Sequence, residues 1–206
     1  IRNNASKWIV AGVEQLQAMF PFEMVVFDSD CGSEFINHEV AAWLPDRDIA
    51  QTRGRPYKKN DQATVESKNN HVVRKHAFYW RYDTPAEIEL LNEMWRLVAL
   101  RLNFFTPTRK PVGYNTTATG RRRRIYDAPA TPWQRVEDSG ILDARQLSTV
   151  AARIEGINPA DLTRRINAIQ IQLTALAQQK TEALATARRV SVEALQPSIN
   201  RLTKTK

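Results

Sequence analysis

The stretch Met24-Val25-Val26-Phe27-Asp28-Ser29-Asp30-Cys31-Gly32-Ser33-Glu34-Phe35-Ile36-Asn37 is a short apolar run ending in carboxylates, then a glycine, then a helical pattern. Four consecutive apolar residues suit a strand buried on both faces, as in the middle of an α/β sheet. Asp30 then falls at the carboxyl end of that strand, where open α/β sheets place their chemistry. Downstream, Asn60-Asp61-Gln62-Ala63-Thr64-Val65-Glu66 opens a second helical segment, expected over Val65 to Trp80. Between Asp30 and Glu66 lie 35 residues.

Asp30-Cys31-Gly32-Ser33-Glu34-Phe35 and Asn60-Asp61-Gln62-Ala63-Thr64-Val65-Glu66-Ser67-Lys68-Asn69, at that separation, resemble the catalytic core of the Asp-Asp-Glu integrases and insertion-sequence transposases. Singly, an aspartate ending a strand and a glutamate on a solvated helix need no special account; two motifs matched in residue type and distance do. The resemblance implies an α/β, RNase H-like fold (an integrase catalytic core) and metal-dependent DNA cleavage and strand transfer. It implies that Asp30 and Glu66 are catalytic carboxylates and metal ligands, with two Mg2+ or Mn2+ ions in the complete site. The implied substrate is double-stranded DNA, both transposon ends and target, and the implied assembly is a homo-oligomer when complete. Phosphoryl transfer of this kind needs oxygen ligands for two hard cations about 3.5–4 Å apart.

The family pattern places three strands before the first helix, and the first of them bears the first catalytic aspartate. Here the sequence starts at Ile1, inside that helix, so the core is expected to lack its first strands and the chain alone to be inactive. Asp28 does not replace the missing aspartate, because residues i and i+2 of one strand point the same way whereas the family draws that group from a neighbouring strand. It reads as an accessory electrostatic or capping group. Cys31 stands where many family members have Asn and reads as a small packed residue. Two rival functions are an RNase H-like nuclease that only hydrolyses and an inactive DNA-binding transposase remnant.

Charge is segregated. Of 206 residues, 30 are Lys or Arg and 22 are acidic, a net charge of +8. Residues 51–82 hold eight bases against two acids and residues 101–135 eight against one, whereas residues 1–50 hold three against eight. Two basic blocks around a proposed DNA-cutting site favour phosphate contact. Candidate DNA contacts are Lys58, Lys59, Asn70, Arg74, Arg121, Arg122, Arg123 and Arg124. One cysteine excludes internal disulfides and fits a reducing bacterial cytoplasm. No apolar run reaches membrane-spanning length.

Taken in order, Ala5 to Phe20 predicts an amphipathic helix stopped by Pro21. Ser33 is a plausible cap for a helix whose buried stripe is Phe35, Ile36, Val40, Trp43 and Leu44, with Glu34 in its first turn. Ile49 to Arg53 predicts an edge strand, and Gly54 to Asp61 a cationic loop. Asn60 or Asp61 can cap the Glu66 helix, where Asn70 and Arg74 follow at i+4 and i+8 on the carboxylate's face, with Val65, Val72, Val73 and Ala77 opposite. Thr84-Pro85-Ala86-Glu87 is a helix start, with Ile88, Leu91, Trp95, Val98 and Leu102 directed inward. Lys110 to Tyr114 and Arg122 to Tyr126 predict a hairpin. From Asn158-Pro159, Leu162, Ile166, Ile169, Leu173 and Leu176 form a seam of about two heptads, suited equally to packing on this chain or to dimerisation. Beyond Lys180 the tail is expected to fray. The expected organisation is a partial catalytic core over 1–108, a basic hairpin over 109–135 and a helical region over 136–206.

Overall fold

Ile9 and Val13 recur at helical spacing and are buried, and they define the inward face of α1, Ser6–Met19. The computed structural model describes residues 6–32, 35 and 37–202, with side chains for 7–32, 35, 37–58 and 60–189. After Pro21 the chain enters β1, Val26–Ser29, which pairs in parallel with β2, Ala50–Arg53, in the register Asp28 to Thr52 and Ser29 to Arg53. The crossover carries α2, His38–Trp43. Ile9, Val13, Val40, Leu44 and Ile49 form the buried cluster, with Met24, Phe27, Phe35 and Trp43 packed against it. The fold is mixed α/β, with two small sheets among the described residues.

Two expectations change here. β1 is not buried on both faces, since Val25 is 67% and Val26 49% exposed. A strand with one hydrogen-bonded neighbour and one covered face can bury only part of its side chains. The cap of α2 is Asn37, whose Oδ1 accepts from Val40 N at 2.9 Å, so the helix starts later than a Ser33 cap implies. Ala5, Ser33, Glu34 and Ile36 lie outside the described residues.

The chain divides into two compact units, one of residues 1–75 with 136–153 and one of residues 76–135 with 154–206. Compactness therefore cuts across the three consecutive segments expected, because α5 packs on a helix from the far end of the chain. In the first unit β2 leads to α3, Ala63–Lys68, and a π-helical segment, Asn69–Arg74; the short α4, Lys75–Ala77, passes into the second. The helical run ends at Ala77 rather than Trp80. Phe78 takes a left-handed φ of 57°, and Tyr82 Oη donates to the Ala77 carbonyl at 2.9 Å.

In the second unit α5, Pro85–Phe104, opens with the expected capping box, the Thr84 side chain accepting from Glu87 N. Its buried residues are Glu87, Met94, Leu97 and Val98, whereas Ile88 is exposed and Leu91, Trp95 and Leu102 are half-buried. The helix is rotated from the expected face, with Met94, Leu97 and Val98 buried and Glu87 turned inward against Lys180. Lys180 Nζ donates to both Glu87 carboxylate oxygens at 3.0 Å, to Asp83 Oδ1 at 2.8 Å and to the Arg81 carbonyl at 2.6 Å. Lys180 belongs to α8, Pro159–Leu202, with α6, Pro132–Ser139, and α7, Ala144–Ala151, preceding it. The α8 seam buries Leu162, Ile166, Ile169, Leu173 and Ala177, the last in place of Leu176. It packs on α5 of the same chain, with Arg165 paired to Glu93 at 2.9 Å. The helical backbone runs past Lys180 to Leu202; residues 203–206 lie outside the described ones. Among the described residues no helix is long and apolar enough to cross a membrane.

Candidate active site and nucleic-acid interface

Asp30 follows β1 directly, and its Oδ1 accepts from Gly32 N at 2.8 Å, so the carboxylate turns the chain out of the strand. Gly54, just after β2, laces the two strand ends together. Its N–H donates to Ser29 O at 2.9 Å, and its carbonyl accepts from Cys31 Sγ at 3.2 Å. A Cβ built on Gly54 would sit 3.7 Å from Ser29 O and 3.5 Å from Gln62 Nε2. Gln62 immediately precedes α3, so the first turn of that helix lies beside the carboxyl ends of both strands. Glu66 lies in the first turn of α3 and is exposed, as is Asp30. The fold thus brings the Gln62 side chain of the second motif to the strand end from which Asp30 follows.

Asp28 is engaged elsewhere, accepting from Thr52 Oγ1 across the strands at 2.6 Å. Ser29 is buried, and its hydroxyl has no hydrogen-bond partner among the described residues. Cys31 is exposed rather than packed.

The loop from Gly54 to Asp61 is closed by a chelate. Asp61 accepts from Arg55 N at 3.0 Å, from Arg55 Nε at 2.9 Å and from Arg55 Nη2 at 2.9 Å. The Arg55 side-chain and backbone hydrogen bonds hold the Asp61 carboxyl at about 2. This corrects the capping expectation, because Asp61 is spent on Arg55 and Gln62 takes the N-cap position with no side-chain cap bond. Lys58 is exposed at the loop, and the Lys59 side chain lies outside the described residues.

Beyond α3 the switch to i→i+5 bonding changes the helix faces. More residues per turn bring positions four apart closer to one line, so Asn70 and Arg74 drift less from Glu66 than in a regular α-helix. Both are exposed. Opposite them, Val65 is 67% exposed, Val73 is exposed and Val72 is half-buried; only Ala77 of the expected packed side is buried. His71 Nδ1 lies 2.7 Å from Ser67 O and, protonated there, donates to that carbonyl, which gives the π segment a local tie.

In the second unit β3, Pro111–Thr116, and β4, Arg122–Tyr126, form the expected antiparallel ribbon. Its base is clamped: Arg135 Nη1 donates to Asp127 Oδ2 at 2.6 Å, Arg135 Nη2 to Thr108 O at 2.7 Å, and Lys110 N to Asp127 Oδ1 at 2.6 Å. The Arg135 side chain, then Lys110 N–H, lower the Asp127 pKa. Arg121, Arg122, Arg123 and Arg124 are all exposed. The Arg122 guanidinium lies 4.3 Å from the Tyr114 ring centre, and that of Arg109 lies 5.5 Å from the Tyr126 ring centre. The sequence reading omitted these tyrosines and Arg109, although Tyr126 stands two residues from Arg124 and so shares its side of the strand.

Among the described residues no group of three His, Cys, Asp or Glu gathers as a metal cluster. The Asp30 and Glu66 carboxylates offer oxygens of the hard type that Mg2+ takes.

No family model matches the chain. It is 33% identical over 132 residues to an uncharacterized protein, y4rM, of Sinorhizobium fredii, a match covering 64% of this chain and 37% of that protein. The chain therefore spans well under half the length of this relative.

Proposed function

We propose that these residues form part of an RNase H-like catalytic core of a DNA transposase or integrase, acting on double-stranded DNA in the bacterial cytoplasm. The observation that carries the reading is the junction at Gly54. Gln62, in the second of two motifs that resemble those of the Asp-Asp-Glu family at the family's spacing, reaches Gly54 at the carboxyl end of the parallel strand pair, where α/β folds place their chemistry.

On this reading Asp30 and Glu66 hold the divalent ions together with the family's first aspartate. Ions held there would supply activation of the attacking oxygen and stabilisation of the leaving oxygen. Asp30 is aimed by the Gly32 amide, which fixes one carboxylate oxygen. Asn70, Arg74 and the loop cations Lys58 and Lys59 meet backbone phosphates, and the ribbon arginines of the second unit make phosphate contacts of their own. The exposed thiol of Cys31 suits a reducing compartment. Strand transfer at two ends calls for at least two protomers.

Two measurements test the proposal. In Mn2+ titrations of the chain, Asp30→Asn and Glu66→Gln each weaken binding by at least about tenfold, the scale of losing one charged oxygen ligand. Joined to an N-terminal extension carrying the family's first strand and aspartate, the chain performs strand transfer on a pre-cut transposon end, and Glu66→Gln abolishes it. Activity that survives Glu66→Gln refutes the site. Hydrolysis without strand transfer favours the nuclease reading, and DNA binding without either reaction favours the inactive remnant.

A further inference from the structure

Alternation along β4, with Arg124 registered opposite Tyr114, places Tyr114, Arg122, Arg124 and Tyr126 on one face of the ribbon and Arg123 on the other. On the first face the planar groups follow one another as a ladder. Arg122 lies over Tyr114, Arg124 stands opposite Tyr114 in the register, and Arg109 lies over Tyr126. The tyrosines remain open to solvent, Tyr114 55% and Tyr126 41% exposed. An open groove of about 520 Å³ is lined by Thr117, Arg121 to Arg124 and Tyr126. Residues 109–126 hold no acidic side chain.

Charge alone does not account for this arrangement. A surface that only neutralises duplex phosphates needs cations, and lysines on a flexible stem serve it as well. Stacking leaves the edge N–H groups of a guanidinium available to phosphate oxygens, while its outer face and the open side of each ring take a further flat group. In a duplex the base faces are hidden; in an unpaired strand they are free to stack. We propose that the Tyr114–Arg122–Arg124–Tyr126 face of the ribbon is a binding site for an unpaired polynucleotide strand, bases stacking along the ladder and phosphates meeting Arg122 and Arg124. The inference rests on the nucleic-acid reading of the basic blocks and not on Asp30 or Glu66.

The test uses the 206-residue chain and fluorescence anisotropy, with a mixed-sequence single-stranded oligonucleotide and its duplex compared at one ionic strength. The unaltered chain binds the single strand more tightly. Tyr114→Ala with Tyr126→Ala lowers single-strand affinity by about tenfold or more, the loss expected for one or more base stacks, and leaves duplex affinity within about twofold. Tyr114→Phe with Tyr126→Phe keeps the rings and retains single-strand binding; Arg122→Lys keeps the charge, loses the plane and weakens it. A thermal unfolding midpoint unchanged in the Ala pair shows that the fold persists. Equal losses on both substrates, tighter duplex binding by the unaltered chain, or no loss in the Ala pair overturns the inference. Binding to neither substrate removes the nucleic-acid reading itself, whereas duplex binding with no single-strand preference removes only the ladder's role.

Discussion

Asp61 accepts three hydrogen bonds from one arginine, which makes a ring of the segment between Arg55 and Asp61 and holds the cationic loop ready beside the strand ends. Its carboxyl is held at about 2 against an ordinary 3.8, so the ring's contribution is complete above pH 3.8 and disappears as pH falls through about 2. The ring is closed throughout the physiological range. Within it Tyr57 takes a φ of 61°, a conformation that a bulky residue adopts only where its surroundings impose it. Asp61→Asn removes the charge that binds Arg55 and opens the loop. Tryptic cleavage after Lys58 and Lys59 should accelerate several-fold while far-UV circular dichroism stays unchanged; an unchanged cleavage rate would mean that other groups close the loop.

The α5 and α8 helices of the second unit are joined by a polar bolt as well as by the seam. Glu87 is 1% exposed. Desolvation pushes its carboxyl up, but the Thr84 amide, the Lys180 ammonium, the Asp83 amide and the Thr84 hydroxyl together outweigh this and hold it at about 2. Lys180 is shifted in the opposite sense: its hydrogen bond to Asp83 raises its pKa against partial desolvation, with further support from Glu87. The stabilisation from Glu87 is present above pH 4.5 and is lost as pH falls through about 2. That from Lys180 is complete below pH 10.5 and is lost as pH rises through its raised value. Unit stability plotted against pH should therefore fall at both ends. Glu87→Gln should lower the plateau, since it leaves Lys180 without its buried counter-charge, and flatten the acid limb. A chemical-denaturation series from pH 2 to 7 measures both effects; an acid limb identical in the variant would assign the slope to other carboxylates.

For the whole molecule, the positive charge is concentrated in two blocks while the first fifty residues are acidic. Such segregation orients a chain on a polyanion, and each phosphate neutralised releases counterions. Binding to duplex DNA should show little sequence preference and a steep dependence on salt. Replacing Arg121, Arg122, Arg123 and Arg124 by Ala should reduce the slope of log affinity against log salt by up to about four counterions' worth. An unchanged slope would assign those arginines to solubility rather than to DNA.

Much was legible in the sequence because much of the fold is local. The Thr84 capping box, the Asn158-Pro159 helix start and the β3–β4 ribbon depend on bonds and steric preferences that reach only a few residues along the chain. The 35-residue spacing of Asp30 and Glu66 was equally plain. Tertiary structure decided what those elements bury and against what. Glu87 reads as a helix cap, but only the tertiary structure shows that it lies inside against Lys180, 93 residues away, with Met94, Leu97 and Val98 on the buried face of α5. The α8 seam fits a dimer or its own chain equally, and only the position of α5 settles that it packs within the chain. Asp61 is a cap by spacing and a chelate by geometry, since Arg55 is close only once the loop has folded. Caps and turns spend their free energy within one or two turns of backbone, whereas burial and charge pairing are set by whichever distant residue fills the space.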